Sequence, residues 1–329
     1  MRICITGGAG FIGANLVERL LCDGHDLVLI DNLSTGSMRF LKDIDLRRMV
    51  FLEADLSQSD AQELSNMLKG VDLVFHLAAN ADVRGGWAST AIDIRNNVVA
   101  THNLALASRI AGVKDFVFAS TGCVYGDSTV IPTPEDEPFP IQTSFYGASK
   151  VAAEGILSTY AAHGAFNVSI FRFVSVLGKY YHHGHVVDFV RQLKQDPKKL
   201  KVLGDGTQKK SYVHVDDCVE ALVTLRGKNN LEVFNIGQSY YWDIGKSVDV
   251  ICASLGVSPI VTYGNSDRGW VGDNPFTFLD TTKALSHGWL PQVSIEASVS
   301  QCVEWVKENL WVLELDKTRP SSTQIQSLN

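Results

Sequence analysis

Residues 2–13 read Arg2-Ile3-Cys4-Ile5-Thr6-Gly7-Gly8-Ala9-Gly10-Phe11-Ile12-Gly13, a short apolar run followed directly by clustered glycines. Leu16, Val17, Leu20 and Leu21 then recur at helical spacing, and Leu27-Val28-Leu29-Ile30 forms a second apolar run that ends in Asp31. Strand, glycine-rich turn, helix, strand and terminal acid within about thirty residues are the parts of a dinucleotide-binding βαβ unit. Gly7, Gly10 and Gly13 permit a tight turn, close backbone approach to a pyrophosphate and close helix packing. The helix N-terminus then faces the phosphates. Asp31 can accept hydrogen bonds from a ribose diol and would repel a 2′-phosphate, so the pattern favours NAD over NADP.

Outward from this unit, strands and helices alternate. Asp31 to Gly36 is rich in cap and turn residues, and Val50–Ala54 reads as a third strand ending at Asp55. Asp55 can either cap the next helix (57–68) or meet an adenine ring. Val71–Leu77 is a fourth strand, and the small residues Ala78-Ala79-Asn80-Ala81 after it let a ligand approach the backbone. A long helix over 91–111 precedes the strand Phe116–Ser120, and Phe166–Phe173 is the next strand. This order predicts an α/β fold with a Rossmann-type, doubly wound parallel sheet. Such sheets place their chemistry at the carboxyl ends of the strands, here Ser120-Thr121-Gly122-Cys123. From Ser175 the pattern loosens into a His-rich loop (180–185), short strands and turns. The residues after Trp311 turn polar and read as a disordered tail.

Ser144-Phe145-Tyr146-Gly147-Ala148-Ser149-Lys150 sets a tyrosine and a lysine four residues apart, hence on one helix face. An ammonium at ~4 Å contributes about 4 kcal/mol at an effective dielectric near 20, roughly three pKa units on a phenol. The pair therefore reads as a tyrosinate base that needs a hydride acceptor beside it.

The 329 residues carry a formal charge of −7 and no Lys/Arg run, which argues against nucleic-acid binding. The six cysteines lack metal-ligand spacing and suit free thiols in a reducing, cytoplasmic setting. No apolar run reaches membrane-spanning length, and the strand pattern at the N-terminus leaves no room for a signal peptide.

The glycine fingerprint, Thr121, Tyr146 and Lys150 together resemble the extended short-chain dehydrogenase/reductases, specifically their NAD-dependent sugar-nucleotide epimerases and dehydratases. Gly204 to Asp216, Arg268-Gly269-Trp270, Asp280 to Lys283 and Gly288-Trp289 extend the resemblance to about residue 310. It implies an NAD domain over 1–174, to which 208–238 return. A smaller α/β substrate domain then comprises 175–207 and 239–310, and 311–329 form the tail. It implies homodimers built through the helices at 91–111 and 146–163, with no membrane partner. The pyrophosphate falls to Gly7, Gly10 and Gly13, with Phe11 and Ile12 beside them. The adenosine end falls to Asp31, Asn32, Ser34, Thr35, Gly36, Asp55 and Leu56, and the remaining cofactor contacts to Leu77, Ala78, Ala79, Asn97 and Lys150. A nucleotide-diphosphate sugar is assigned to Arg84, Ser175, His185, Gln208, Lys210, Tyr212 and, on its diphosphate, Arg268. Many relatives carry Asn in place of Ser175 and Arg in place of Lys210, so this chain departs from the pattern there.

By the same resemblance Tyr146 is the base and Thr121 the hydroxyl that binds the reacting sugar oxygen. The expected activity is a 4-epimerase that passes through a 4-keto sugar. Dehydratases of this group place Asp-Glu after the threonine, where this chain has Gly122 and Cys123. Cys123 with His185 matches the acid/base pair of some 3,5-epimerising relatives, which leaves 3,5-epimerisation or dehydration as an alternative. A non-catalytic NAD-binding role would not need a poised tyrosine.

Overall fold

The opening apolar run forms β1 (Arg2–Thr6), with Ile3, Cys4 and Ile5 fully buried. A strand covered on both faces has no polar alternation, which is why this one reads as a continuous apolar run. The computed structural model describes residues 1–315 apart from 85–88, 140 and 228. After β1 come β2 (Asp26–Asp31), β3 (Met49–Glu53), β4 (Leu73–His76), β5 (Asp115–Thr121) and β6 (Asn167–Phe173). These pair in parallel in the order β6-β5-β4-β1-β2-β3, and a seventh strand, Leu231–Ile236, adds in parallel beyond β6. The order reverses between β1 and β4, and the crevice at such a switch point is where open sheets bind ligands.

Side chains alternate across the sheet and feed two cores. Ile3, Ile5, Leu29, Phe75 and Val117 pack with Leu16 and Val17 of α1 (Phe11–Cys22) on one face. Cys4, Val28, Val74, Phe116 and Phe118 pack on the other. There they meet Leu64 of α2 (Ala61–Met67), Leu104 of α4 (Ala100–Ala111) and Leu157 of α5 (Phe145–Ala162). Truncating a fully buried ring such as Phe75 to Ala would cost about 3–5 kcal/mol.

Local chemistry sets the element ends. Ser144 caps α5 by accepting from the Gly147 N–H at 3.0 Å. The helix expected at 57–68 begins only at Ala61, because Asp60 caps it through the Glu63 N–H at 2.8 Å. Asp55 instead holds its own turn by accepting from the Ser57 N–H and Oγ. The helix expected over 91–111 is interrupted: α3 (Thr90–Asp93) and α4 flank a π-helical turn, Ile94–Val99. Such turns are rare and re-aim side chains locally.

Beyond β6 the chain builds small sheets at the carboxyl ends of the large one. Ser175–Leu177 pairs with Tyr212–His214, Lys199–Val202 with Ile260–Tyr263, and Lys209–Lys210 lies between Trp242–Asp243 and Phe276–Thr277. Helix α6 (His185–Gln195) buries Val186, Val187, Phe189 and Val190 against the first core. Order continues past the expected start of the tail, since Leu310–Glu314 form a 3₁₀ turn with Val312 and Leu313 buried. The rest of the expected tail, 316–329, lies outside the described residues. Among those described, no helix is long and apolar enough to cross a membrane, and no His/Cys/Asp/Glu cluster could hold a metal ion.

Candidate active site

A cavity of about 1180 Å³ runs from the glycine turn, past the ends of β4 and β5, to the small sheets. At its β1 end, Gly7 has φ +70° and a Cβ there would lie 2.8 Å from the Ala78 nitrogen. A Cβ on Gly13 would lie 2.1 Å from the Gly7 carbonyl oxygen, so α1 packs on the turn only because residue 13 lacks a side chain. Gly10 caps α1 without a side-chain acceptor, which leaves the first N–H groups of that helix for an anion. Asp31 lines the cavity at the end of β2, accepting from the Ala9 N–H at 3.0 Å and the Leu33 N–H at 2.8 Å. Burial pushes its carboxyl up, while these backbone donors pull it back. Each oxygen keeps a lone pair for a ribose hydroxyl. These features fit a dinucleotide.

Of the residues assigned to the cofactor from the sequence, Phe11, Ile12, Asn32, Ser34, Thr35, Gly36, Asp55, Leu56, Leu77, Ala78 and Ala79 line the cavity. Asn97 does not. The π-helical turn points Asn96 at the cavity and buries Asn97, which donates to the Ser149 Oγ at 2.9 Å and accepts from the Asn80 N–H at 2.7 Å. It is buried between Asn80 and α5 rather than set on the cavity.

Thr121, Tyr146 and Lys150 meet on the cavity wall where β5 ends against the first turns of α5. The Thr121 hydroxyl accepts from the Cys123 N–H at 3.1 Å and lines the same wall as the Tyr146 phenol. Lys150 donates to the Ala119 carbonyl at 2.9 Å, and its Nζ lies 4.7 Å from the Phe118 ring centroid and 6.0 Å from that of Tyr146. Burial pushes the lysine down to about 8, against the pull of the Glu154 and Asp93 carboxylates. Burial also pushes the Tyr146 phenol up. The expected depression of the tyrosine by its lysine does not appear: the ammonium bonds the Ala119 carbonyl rather than the phenol, and burial raises the phenol.

Behind these groups lies a buried network with less sequence signal. Glu154 stands one turn past Lys150 on α5 and accepts from Ser120 Oγ at 2.5 Å and from the Arg172 guanidinium at 3.0 and 2.6 Å. Arg172 also donates to the Tyr125 hydroxyl at 2.7 Å, which in turn donates to Asn235 Oδ1 at 2.9 Å. The clamp ties the end of β5 to α5, and so Thr121 to Tyr146 and Lys150. The spacing of Tyr146, Lys150 and Glu154 at successive fours was the available signal; Arg172 offered none.

At the far end of the cavity Arg84, Ser175, His185, Gln208, Lys210 and Tyr212 all contribute to the lining. Lys210 pairs with the buried Asp273 at 2.6 Å, and Arg84 with Asp188 of α6 at 3.1 Å. The Trp270 ring lies 5.8 Å from the Arg84 guanidinium and 5.4 Å from Lys210 Nζ. Gln208 donates to the Leu203 carbonyl at 3.0 Å. His185 packs on Tyr212 with ring centroids 5.3 Å apart, and its Nε2 is buried with no hydrogen-bond partner among the described residues. Burial and the Lys210 charge push the imidazole down to about 4, so it is neutral at pH 7. Burial pushes the Cys123 thiol up, leaving it protonated. Arg268 is not in the lining: its guanidinium pairs with Asp127 at 2.7 Å and donates to the Asp273 carbonyl at 2.8 Å, although the adjacent Gly269 and Trp270 do line the cavity. Asp127 and Asp273, which nothing in the sequence pattern marked, hold Arg268 and Lys210. His76 behaves as the satisfied core histidine its strand setting suggests, between Thr6 and Thr101 hydroxyls at 2.7 and 2.9 Å.

Residues 3–237 match the NAD dependent epimerase/dehydratase family. A UDP-glucose 4-epimerase of Mycolicibacterium smegmatis is 34% identical over 314 residues, 93% of this chain and 99% of the relative. A solved UDP-galactose 4-epimerase is 34% identical, with a TM-score of 0.83 over 94% of this chain and 100% of its own. A dTDP-glucose 4,6-dehydratase from Streptomyces venezuelae, solved with NAD bound, is 28% identical, with a TM-score of 0.86 over 96% of this chain and 100% of its own. Enzymes acting on nucleotide sugars by epimerisation and by dehydration are thus both among the relatives. The glycine turn, the acid at the end of β2 and the match over most of the sheet agree: the chain belongs to the NAD-dependent epimerase/dehydratase family, and NAD is its cofactor.

Proposed function

We propose that this protein interconverts the C4 epimers of a nucleotide-diphosphate sugar through a 4-keto sugar. The observation that carries this reading is the meeting of Thr121, Tyr146 and Lys150 on one cavity wall while the next two positions, Gly122 and Cys123, offer no carboxylate. Bound NAD⁺ supplies the hydride acceptor, the later hydride donor and a formal positive charge. The protons are handled by the chain: Tyr146, as the tyrosinate that the nicotinamide charge would favour once its own proton has passed to solvent, takes the proton of the C4 hydroxyl at Oη, and the neighbouring Thr121 hydroxyl stabilises the charge as it moves. Dehydration by the relatives' route needs an acid and a base on the residues after Thr121, and a glycine and a protonated thiol do not supply them. Arg84 and Lys210 are the cations best placed in the lining to meet the diphosphate.

A second reading, 3,5-epimerisation, is favoured by one observation. His185 is neutral with a free buried Nε2, and Cys123 is a protonated thiol on the wall of the same cavity, the states required of a base and an acid. Turnover of a UDP-, dTDP-, GDP- and CDP-sugar panel in heavy water separates the two. The 4-epimerase reading expects product without carbon-bound deuterium and an active Cys123→Ser enzyme. Stoichiometric deuterium at the inverted carbon, with an inactive Cys123→Ser, would replace it with the second.

A further inference from the structure

Asp93 ends α3 fully buried, at 0% exposure. Its Oδ1 accepts from Asn80 Nδ2 at 2.8 Å and, more weakly, from Asn97 Nδ2 at 3.4 Å. Its Oδ2 is buried and meets no hydrogen-bond donor among the described residues. A carboxylate oxygen in that state calls for an explanation, since burying an uncompensated charge is costly.

The surroundings supply one. Asn97 Nδ2 also donates to Ser149 Oγ at 2.9 Å, and Ser149 Oγ donates to the Tyr146 carbonyl at 2.7 Å. Asp93 is thus linked through two side chains to the turn of α5 that carries the tyrosine and the lysine. The π-helical turn at Ile94–Val99 makes this possible, because it buries Asn97 toward α5 while Asn96 faces the cavity. We propose that Asp93 is a positioning residue and the buried counter-charge of the Tyr146–Lys150 pair, holding Lys150 as an ammonium through charge rather than through a direct bond.

The inference rests on the roles given to Tyr146 and Lys150 above. Around Lys150 the other titratable groups are Glu154 on its own helix, already bound by Arg172 and Ser120, Tyr146 one turn earlier, and His76 on β4, which burial and the lysine itself push down to about 3. Tyr146 feels Cys123 and Asp93, while burial and Asp82 push the Asp93 carboxyl up and Asn80 and Lys150 pull it back toward the charged form. Among the described residues Asp93 is a carboxylate that acts on both members of the pair and is bound by amide groups rather than by an arginine. Its charge raises both Lys150 and Tyr146, so removing it lowers both.

Asp93→Asn keeps the acceptor for Asn80 and Asn97 and removes only the charge. In the NAD-loaded enzyme the Tyr146 ionisation can be followed by tyrosinate absorbance, as the difference between each enzyme and its Tyr146→Phe counterpart. The expected result is a transition about one pH unit lower in Asp93→Asn, with the whole bell of kcat against pH displaced the same way and Asp93→Glu remaining near wild type. Should Asp93→Asn not fold, Asp93→Ser, also neutral and smaller, carries the same expectation. A folded neutral variant whose tyrosinate transition stays in place, or moves upward, overturns the proposal. A wild-type enzyme that turns over no nucleotide sugar would fail the functional reading instead, with the tyrosinate titration still readable.

Discussion

Replacing Lys150 by Met should make the nucleotide-free protein more stable at neutral pH. Lys150 is 3% exposed, and burial lowers it from 10.5 to about 8. For a base whose folded pKa lies below its unfolded one, the unfolded chain binds more protons between the two values, so stability rises with pH across that window. Below pH 8 the full penalty applies, and the gap between 10.5 and about 8 corresponds to about 3 kcal/mol. By pH 10 it shrinks to about 1 kcal/mol or less. Methionine fills a similar volume but forfeits the bond from Nζ to the Ala119 carbonyl, worth about 1 kcal/mol. The expected net gain is thus about 2 kcal/mol at pH 7, vanishing near pH 10. Urea unfolding of both proteins, stripped of nucleotide and measured at pH 7 and pH 10, checks it. A variant no more stable than wild type at pH 7, or a difference that does not change between the two, would refute the claim that the lysine is held at an energetic cost.

Tyr146→Phe should fold and retain NAD while losing turnover by roughly 10²–10⁴-fold, because only the proton-transfer group is removed; released-nucleotide analysis and a coupled assay read the two separately. Arg172→Met should lose about 3–5 kcal/mol in urea unfolding, since Glu154 is left buried with one hydroxyl partner; a loss below about 1 kcal/mol would mean the clamp is not a structural element. Lys210→Met should raise the KM for the nucleotide sugar more than Arg268→Ala, because Lys210 lines the cavity whereas Arg268 is committed to Asp127; the reverse order would return the diphosphate to Arg268.

The parallel sheet and the cofactor end of the site were legible because each rests on local chemistry. Apolar runs of strand length, glycines where a Cβ has no room and an acid at a strand end can be recognised from neighbours in the chain. Thr121, Tyr146 and Lys150 were legible through spacing and resemblance. What escaped depends on partners distant in sequence. Nothing near Arg268 announces Asp127, 141 positions away, and nothing near Lys210 announces Asp273. The π-helical turn escaped too, since one extra residue in a helix leaves the apolar spacing almost unchanged, yet it buried Asn97 and set Asn96 on the cavity instead. The direction of the Lys150 side chain escaped for a related reason: helical spacing puts a lysine one turn from Tyr146 but does not say which way its ammonium points, and here it points at the Ala119 carbonyl.

The strand Leu231–Ile236 reaches the large sheet only after the chain has laid down the small strands from Ser175 to His214. During synthesis β6 therefore waits as an open edge, with its ladder unpaired, until some sixty further residues have left the ribosome. A chain that stops before residue 231 would keep the whole cofactor turn and still present that edge to other chains. It would also lack Asn235, whose side chain accepts from Tyr125 and donates to the Thr133 carbonyl at 2.9 Å. The nucleotide half thus cannot be harvested as a soluble fragment by cutting at the end of β6. A protease nick in the intervening loops, by contrast, should leave two pieces that travel together through gel filtration, because the later piece supplies the sheet's last strand.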